Sequence, residues 1–503
     1  MQLQVGAGPI AELAADAVVL FSFEGEGEWS SLARQVNAYL DGGLMAAVSR
    51  QSFKAECYTV LALTPMGKQQ WAHVFLVGLG KRERFDRQRL HRGVATGLRR
   101  AQQVRAEKVA VCLPEDLPSF GINAKDAGQL AALGAWEGTY RYDELKSHRE
   151  EGSVQEIFFI LENGEERADF EKGLAEGDIL GQAVCFARTL TNRPANHNTP
   201  QQMADAALEQ AKAVPEVQAE VLGREAMQQL GMGALLGVAS GSVQEPKLIV
   251  LRYDGAPQHA QRLALVGKGV CFDSGGISLK QAKGMSEMKD DMAGGAACIA
   301  ALLAIAQLHL PINVVAVVPA VENMPSGTAQ HPGDVQRTMS GQTVEVDNTD
   351  AEGRLILCDA LTYAQRELKA THVVDVATLT GAQVVALGYH RSAVMGFDQA
   401  FMHMVLQAAD EAGEKMWPLP SDEEYDALIR SHVADICNVA NQGGAGTIVA
   451  GMFLGRFIEE GRPWAHIDIA GPAFLDFETP YQAFGATGTP VATFVHLAMH
   501  LAS

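Results

Sequence analysis

Cysteine is sparse in this chain, and its positions form no pattern. The 503 residues include seven cysteines, and no two of them are spaced as C-x-x-C. Their odd number and scattered positions argue against a disulfide framework, and the missing C-x-x-C pairs argue against a thiolate zinc site. The sequence therefore predicts a reducing compartment, which fits the cytoplasm.

Long apolar runs are missing as well. No apolar stretch approaches the roughly 18 residues that are needed to cross a bilayer. The first positively charged side chain is Arg34, so a signal peptide here would lack its basic beginning. We expect a soluble, unexported protein with no membrane partner.

Basic residues are fewer than acidic residues. Lys and Arg number 40 against 60 Asp and Glu, a formal charge of −20 that should repel polyanions. One segment, 81–108, reverses this balance with ten bases against three acids. We interpret it as a solvated helix face or a subunit contact, with a nucleic-acid or acidic-partner patch as the alternative.

The order of apolar and polar segments predicts an α/β protein with two domains. In the first part, buried strands are expected at 17–21, 58–63, 73–77, 109–113 and 157–161, and helices at 86–104 and 124–136. The second part has strand patterns at 248–252, 262–266, 312–318 and 373–377, and helical patterns at 293–306, 355–367 and 447–459. A helical pattern from 168 and a turn-rich stretch to 200 separate the two parts. We predict domains at 1–167 and 201–503, joined by a linker helix and turn at 168–200.

Two blocks of the second part concentrate the chemistry. Block 266–280 reads VGKGVCFDSGGISLK and continues to KDDM at 289–292, and block 348–355 reads NTDAEGRL. If they converge, their carboxylates carry −4 and need compensation; these are Asp273, Asp291, Asp350 and Glu352. Two divalent cations would cancel that charge, as in two-metal sites with ions about 3.5–4 Å apart.

The basic residues of the two blocks fit the same site. Lys268 could be a metal ligand only as a neutral amine, after a metal displaces its proton. Lys280 and Arg354 would stay charged and serve as an electrophile or an anion holder.

Taken one at a time, these residues have ordinary structural explanations. Lys268 could be a solvated lysine and Asp273 a turn aspartate, and 350–354 could be a helix cap with a surface ion pair. Other candidates are interpreted as structural: His197 and His466 lack metal-ligand partners at suitable spacing, Cys271 resembles a buried small hydrophobe, and GGAG at 443–446 is a weak match to a phosphate loop.

Together, the two blocks closely resemble the leucyl aminopeptidase (cytosol aminopeptidase) family, hexameric two-zinc exopeptidases that include bacterial aminopeptidase A. The family signature NTDAEGRL stands complete at 348–355. The resemblance continues through ENM at 322–324, PGDV at 332–335, ATLTG at 377–381, WAHIDIAG at 464–471 and GATG at 485–488. It covers essentially the whole second part, whereas the first part is similar only in length and α/β character.

The resemblance implies a fold, a site and an activity. The fold would be a smaller, macro-like N-terminal α/β domain and a larger catalytic domain with a mixed central sheet flanked by helices. The expected metal ligands are Lys268, Asp273, Asp291, Asp350 and Glu352, for two Zn²⁺ or Mn²⁺ ions. Lys280 would polarise the scissile carbonyl, and Arg354 would hold a bicarbonate that acts as general base. Thr378, Leu379 and Gly381 match positions that line the substrate cleft.

The resemblance also implies a homohexamer that releases N-terminal Leu and other apolar residues from peptides with a free N-terminus. Two alternatives stay open. Carboxylate-rich two-metal sites also serve phosphoesterases, although the lysine ligand and the complete signature disfavour this. Some bacterial members of the family also bind DNA, for which segment 81–108 is the local support.

Overall fold

The structure is a computed structural model that describes residues 1–6, 9–25, 29–65, 70–148, 152–161 and 166–502. The chain divides into two compact units. The first comprises Met1–Cys185 and Phe477–Phe484, and the second comprises Phe186–Asp476 and Gly485–Ser503. Along the chain, the division falls inside one long helix, Arg167–Asn192.

The described part of the first unit is built on a six-stranded sheet in the order β1-β6-β5-β2-β4-β3. Its strands are parallel except for the edge strand β3, which is antiparallel to β4. The strands are β1 (Gln2–Val5), β2 (Ala17–Ser22), β3 (Val60–Leu63), β4 (His73–Gly78), β5 (Lys108–Cys112) and β6 (Glu156–Ile160). The helices are α1 (Ser31–Tyr39), α2 (Gly43–Arg50), α3 (Arg87–Gln103), α4 (Ala124–Thr139) and α5 (Arg167–Asn192).

The central strand β2 shows why this sheet is covered on both sides. Successive side chains of a strand point to opposite faces. Val19 and Phe21 pack into one apolar cluster, and Val18 and Leu20 pack into another. The continuous apolar run of β2 is therefore buried on both faces, which is typical of parallel sheets.

The second unit is built on a mixed nine-stranded sheet in the order β16-β15-β18-β14-β9-β11-β8-β7, with β10 paired to β11. Its described strands, including short ones outside this sheet, are β7 (Val217–Leu222), β8 (Lys247–Asp254), β9 (Arg262–Gly267), β10 (Gly269–Asp273), β11 (Asn313–Asn323), β12 (Asp334–Arg337), β13 (Thr343–Val346), β14 (His372–Ala377), β15 (Ser392–Met395), β16 (Met416–Pro418), β17 (Ile436–Cys437), β18 (Trp464–Asp468), β19 (Phe474–Leu475) and β20 (Gly485–Ala486).

The helices of the second unit include two that start at the chemistry-bearing blocks. They are α6 (Pro200–Lys212), α7 (Arg224–Gln229), α8 (Gly233–Val238), α9 (Ala293–Gln307), α10 (Glu352–Arg366), α11 (Gly381–Leu387), α12 (Gln399–Ala412), α13 (Glu423–Asp426), α14 (Gly446–Gly455) and α15 (Val491–Ala502). Helix α10 packs its apolar residues into a core cluster with β8, β9 and β11.

The strands and helices predicted from the sequence are present, with ends that move by a few residues. The largest differences are β11, which continues to Asn323, and α14, which ends at Gly455. The region predicted as a buried strand at 58–63 is the edge strand β3, where only Leu61 is buried. An edge strand has one neighbour, so its side chains are less covered.

One helical stretch qualifies as a membrane span by length and composition, Met285–Gln307, contrary to the expectation that no stretch would approach that length. Of its most apolar window, 89% is buried inside the structure. Helix α9 in this stretch is apolar on all sides because it is enclosed by protein. Its apolar composition is therefore explained by burial in the core.

The basic segment 81–108 spans α3 and its flanks, and many of its charges are used within the first unit. Ion pairs join Arg82 to Asp116, Arg87 to Asp126, Arg99 to Glu478 and Lys108 to Glu156. Arg89 donates to the carbonyl of Leu79, and Arg92 lies over the ring of Tyr481. These contacts favour a structural role for the segment over a free cationic patch.

Candidate metal centre

The site forms at the carboxyl ends of parallel strands in the second unit. Strands β9, β11, β14 and β18 run parallel where they neighbour one another, and β10 is parallel to β11. Their ends deliver Lys268 after β9, Asp273 on β10, Asn323 on β11, Thr378 after β14 and Asp468 on β18. This edge of a sheet is the usual position for functional groups in α/β proteins.

Lys268 is the centre of one group of contacts. Its Nζ lies 2.6 Å from Oδ1 of Asp291 and 2.8 Å from Oε1 of Glu352. It also donates to the carbonyl of Thr378 at 2.9 Å, and the Thr378 hydroxyl donates to Asp291 at 2.7 Å. The lysine and both carboxylates are buried. These contacts join the end of β9 to the starts of α9 and α10.

Lys280 is the centre of a second group. Its Nζ lies 2.8 Å from Oδ2 of Asp273 and 2.5 Å from Oδ1 of Asp350. The side chain of Lys280 is 24% exposed, whereas that of Lys268 is 3% exposed. Lys280 is therefore the lysine that an incoming molecule can reach.

Two glycines permit the close approach of these groups. Gly275 has a φ of +87°, a backbone conformation that residues other than glycine rarely adopt. A Cβ at this position would also lie 2.8 Å from Oδ1 of Asp350. A Cβ on Gly353 would lie 2.7 Å from the Lys268 side chain and 2.9 Å from that of Leu379. Gly275 and Gly353 thus leave room for the charged side chains.

Burial and mutual repulsion perturb the carboxylates. Burial raises the pKa of Asp291 well above its usual value, against the opposing effect of Lys268. Burial and then Asp273 raise the pKa of Glu352, and burial raises that of Asp350 against Lys280. A cluster of four carboxylates and two ammonium groups retains a formal charge of −2, so it attracts additional cations.

Burial has the opposite effect on the pKa values of the two lysines, and the neighbouring carboxylates outweigh it. Burial alone would lower the pKa of Lys268, but Asp291, Glu352 and Asp273 raise it above its usual value. Burial is likewise outweighed at Lys280, where Asp273 and Glu352 raise the pKa. Both side chains are therefore ammonium groups that partly neutralise the cluster in this structure.

The donor set fits divalent metal ions. One oxygen each from Asp273, Asp350 and Glu352 lie within 4.8 Å of one another. Oδ2 of Asp291 is buried and has no hydrogen-bond partner among the described residues. A buried carboxylate oxygen without a donor is costly unless a cation or water completes its shell. Carboxylate oxygens and one amine suit zinc, manganese, cobalt or magnesium.

Arg354 lies beside this cluster, in the first turn of α10. Burial lowers its pKa to about 10, opposed by Glu352 and Asp468. Its Nη1 donates to the carbonyl of Asn438 at 2.8 Å, while its Nε is buried and has no partner in the described part of the chain. The guanidinium therefore retains capacity to bind an anion.

The other predicted residues also lie near this edge. Thr378, Leu379 and Gly381 follow β14, and the Leu379 backbone N–H donates to Asp468 at 3.1 Å. Elsewhere, His466 is buried with Nδ1 2.6 Å from Asp375, Cys271 is fully buried as expected, and His197 is exposed. Segment 443–446 is a mostly exposed turn that leads into α14.

Sequence reasoning missed two buried amides that contact the site. Asn323 donates to Oδ1 of Asp273 at 2.8 Å and to the carbonyl of Thr349 at 3.0 Å. Asn438 contacts the 347–351 loop and Arg354. The ENM motif at 322–324 pointed to Asn323, but no comparable signal marked Asn438.

Comparison with known proteins identifies the same family over both units. The catalytic-domain model of the cytosol aminopeptidase family matches residues 185–495, and its N-terminal-domain model matches residues 19–149. Probable cytosol aminopeptidases from Alkaliphilus oremlandii and Solibacter usitatus are 42% and 45% identical to the chain, each over 99% of both sequences.

Solved structures with similar folds agree with this result. The bottromycin maturation enzyme BotP in complex with Mn has a TM-score of 0.85 and 34% identity, covering 97% of this chain and 100% of its own. A mutant of tomato leucine aminopeptidase has a TM-score of 0.89 and 28% identity, covering 99% and 96%. Because the matches extend over nearly the whole chain and the acidic cluster fits divalent metals, this chain belongs to the cytosol aminopeptidase family and is a metal-dependent aminopeptidase that hydrolyses peptides at their N-terminus.

Proposed function

We propose that the chain is a two-metal leucyl aminopeptidase that prefers N-terminal Leu and other apolar residues. The observation that carries this proposal is the convergence of four carboxylates and two lysines at one sheet edge, with Arg354 beside them. The Leu preference is supported by the likeness to the tomato leucine aminopeptidase.

In this proposal, five side chains hold two Zn²⁺ or Mn²⁺ ions: Lys268, Asp273, Asp291, Asp350 and Glu352. When bound, the ions supply an acidified water and polarise the substrate oxygen. Manganese is supported by the solved structure of BotP with Mn. Ligation by Lys268 requires displacement of its proton, because the neighbouring carboxylates favour its ammonium form.

Lys280 polarises the carbonyl of the scissile peptide bond. Its side chain is partly exposed and already directed at two carboxylates of the cluster. An ammonium placed at the carbonyl oxygen stabilises the negative charge that develops there when water attacks. A single preorganised donor of this kind lowers the barrier by about 3 kcal/mol.

Arg354 would hold a bicarbonate, which when bound would supply a general base. Support for an anion here comes from its Nε, which is buried without a partner among the described residues. The hydrogen bond from Nη1 to Asn438 fixes the guanidinium plane. The bicarbonate at this position is what the family resemblance implies.

Thr378, Leu379 and Gly381 line the substrate cleft in this proposal. The Thr378 hydroxyl and carbonyl contact Asp291 and Lys268, so the strand end that carries them is joined to the metal ligands. The free α-amine of the substrate is required because it binds beside the carboxylates, which restricts cleavage to the first residue.

We also propose that the chain forms a cytoplasmic homohexamer. Each chain would have an N-terminal domain at 1–167, a linker at 168–200 and a catalytic domain at 201–503. The family models support two domains in this order. Hexamer formation is tested by light scattering of the metal-loaded protein, where a mass six times 53.8 kDa is expected.

DNA binding remains a separate hypothesis for the first unit. Ion pairs at Arg82, Arg87 and Arg99 reduce the support that segment 81–108 gave it. A gel shift at increasing salt, on wild type and on a variant with Arg84, Arg100 and Arg105 changed to Glu, decides it. Equal retention by both proteins would exclude this segment as the DNA contact.

Three substrates test the main proposal on chelator-stripped protein with Mn²⁺ or Zn²⁺ added back. Leucine p-nitroanilide should be cleaved only after metal addition. N-acetyl-leucine p-nitroanilide, which lacks the free amine, should resist cleavage, and p-nitrophenyl phosphate tests the phosphoesterase alternative. Cleavage of the phosphate ester alone would replace the aminopeptidase proposal.

A further inference from the structure

Asn438 is a fully buried amide that uses all of its hydrogen-bonding capacity. It follows β17 directly, and its side chain has no exposed surface. Its Oδ1 accepts from the backbone N–H groups of Asp347 at 2.9 Å and Asn348 at 3.3 Å. Its Nδ2 donates to the carbonyls of Asn348 at 2.7 Å and Ala351 at 3.4 Å. A carboxamide has two donor hydrogens and an oxygen that accepts two bonds, so every position is occupied.

All four partners are backbone groups of one loop. That loop, 347–351, carries Asp350 and leads directly into α10, whose first residue is Glu352. The residue before α10 is Ala351, and no side chain caps the helix in the usual way. Asn438 therefore supports, from a distant part of the chain, the backbone of the loop where it enters the helix.

The backbone of Asn438 contacts a third functional group. Its carbonyl accepts from Nη1 of Arg354 at 2.8 Å. Its N–H donates to the carbonyl of Glu345 at 2.9 Å, which extends the pairing of β17 with β13. One residue thus holds the loop of Asp350, the start of α10 and the Arg354 guanidinium relative to a common strand.

We infer that Asn438 is a positioning residue that sets the geometry of Asp350 and Glu352 for metal binding. This inference rests on the proposed function, because it concerns the same metal site. Its side-chain hydrogen bonds among the described residues go to backbone groups of the loop and not to the carboxylate oxygens, so it acts through the backbone that carries Asp350 and Glu352. Groups that orient metal ligands in this way typically change metal affinity by about 10- to 100-fold when they are removed.

The chain offers a matched control in Asn313. This residue is also a buried asparagine, at the start of β11. Its Nδ2 donates to the carbonyls of Ala256, His259 and Gln261, and its Oδ1 accepts from the N–H of Ala256. It holds a loop at the end of β11 opposite to Asn323 and the metal cluster. Loss of either asparagine removes a comparable set of buried hydrogen bonds.

The test compares Asn438→Ala and Asn313→Ala with wild type. Mn²⁺ affinity is measured by calorimetry on chelator-stripped protein. The values of kcat and KM are measured with leucine p-nitroanilide at saturating Mn²⁺, and Tm is measured by differential scanning fluorimetry. Both variants should lower Tm. Only Asn438→Ala should weaken Mn²⁺ binding by about 10- to 100-fold and lower kcat by at least about tenfold with KM little changed.

Two results would overturn the inference. One is an Asn438→Ala protein with wild-type Mn²⁺ affinity and kcat. The other is an Asn313→Ala protein that loses as much Mn²⁺ affinity and kcat as Asn438→Ala does. If Asn438→Ala does not fold, Asn438→Asp decides, since it keeps the acceptor oxygens but places a carboxylate against two carbonyls. It should lose Mn²⁺ affinity, and wild-type affinity there also refutes the inference. A wild-type protein that neither binds Mn²⁺ nor cleaves leucine p-nitroanilide would instead reject the proposed function.

Discussion

Replacing Lys280 should separate catalysis from metal binding. Lys280→Met removes the charge and keeps a similar side-chain length. In the structure, its ammonium lies 2.8 Å from Asp273 and 2.5 Å from Asp350, at the accessible side of the cluster. Removing one donor to a developing oxyanion costs about 10²–10³ in kcat, or about 2.7–4 kcal/mol. We expect that loss in kcat, with KM changed by a smaller factor.

Metal binding should survive the same change. Without Lys280, the formal charge of the cluster falls from −2 to −3, which favours divalent cations. The assay is hydrolysis of leucine p-nitroanilide at saturating Mn²⁺, with bound metal measured by mass spectrometry. Lys283→Met is the matched control, because Lys283 is exposed three residues further along the same loop. Unchanged kcat in Lys280→Met, or loss of its metal, would refute the role proposed for Lys280.

Three further predictions test other parts of the structure. Asp350→Ala and Glu352→Ala should lose bound metal and turnover together, measured on the same preparations; a variant that stays active without metal would contradict the ligand assignment. Gly353→Ala should lower stability by about 1–3 kcal/mol, because its Cβ would lie 2.7 Å from Lys268; denaturant unfolding measures this, with exposed Gly443→Ala expected to be neutral. The hydrogen bond from His496, with smaller effects of Gln407 and His500, lowers the pKa of Glu411 to about 2. The ionised form of Glu411 therefore stabilises the fold above pH 4.5, and this stabilisation is lost as the pH falls towards 2. Because Glu411 is about one-third exposed, Glu411→Gln should lower the free energy of unfolding by only about 1 kcal/mol at pH 7. If the variant is destabilised by the same amount near pH 2, the charge of Glu411 is not the source of the stabilisation.

The sequence predicts that these polar residues share one site because they cluster in two short blocks, and the structure brings them together. Lys268 follows the strand predicted at 262–266, and block 348–355 leads into the helix predicted at 355–367, so local pattern places both blocks at the ends of elements. Strand β10, which carries Asp273, is not predicted from the sequence, and helix α10 begins at Glu352, three residues before its predicted start. The glycines at 275 and 353 lie in the same blocks and make the close approach possible.

Long-range contacts could not be predicted in the same way. Asn438 lies 84 residues from Arg354 and 90 from Asn348, and a single asparagine in a loop carries no periodic signal. Phe477–Phe484 belongs to the first unit although it is far along the chain, as shown by the pair of Glu478 with Arg99. Such pairings depend on the folded backbone and not on local propensity.

The central claim, that these carboxylates hold two catalytic metal ions, is tested most directly by titrating chelator-stripped protein with Mn²⁺. Bound metal and hydrolysis of leucine p-nitroanilide are followed together, for wild type and for Glu352→Ala. The account predicts no activity without metal, full activity at two bound ions per chain, and neither tight binding nor activity in Glu352→Ala. Full activity in the stripped wild type, or undiminished turnover in Glu352→Ala, would contradict it.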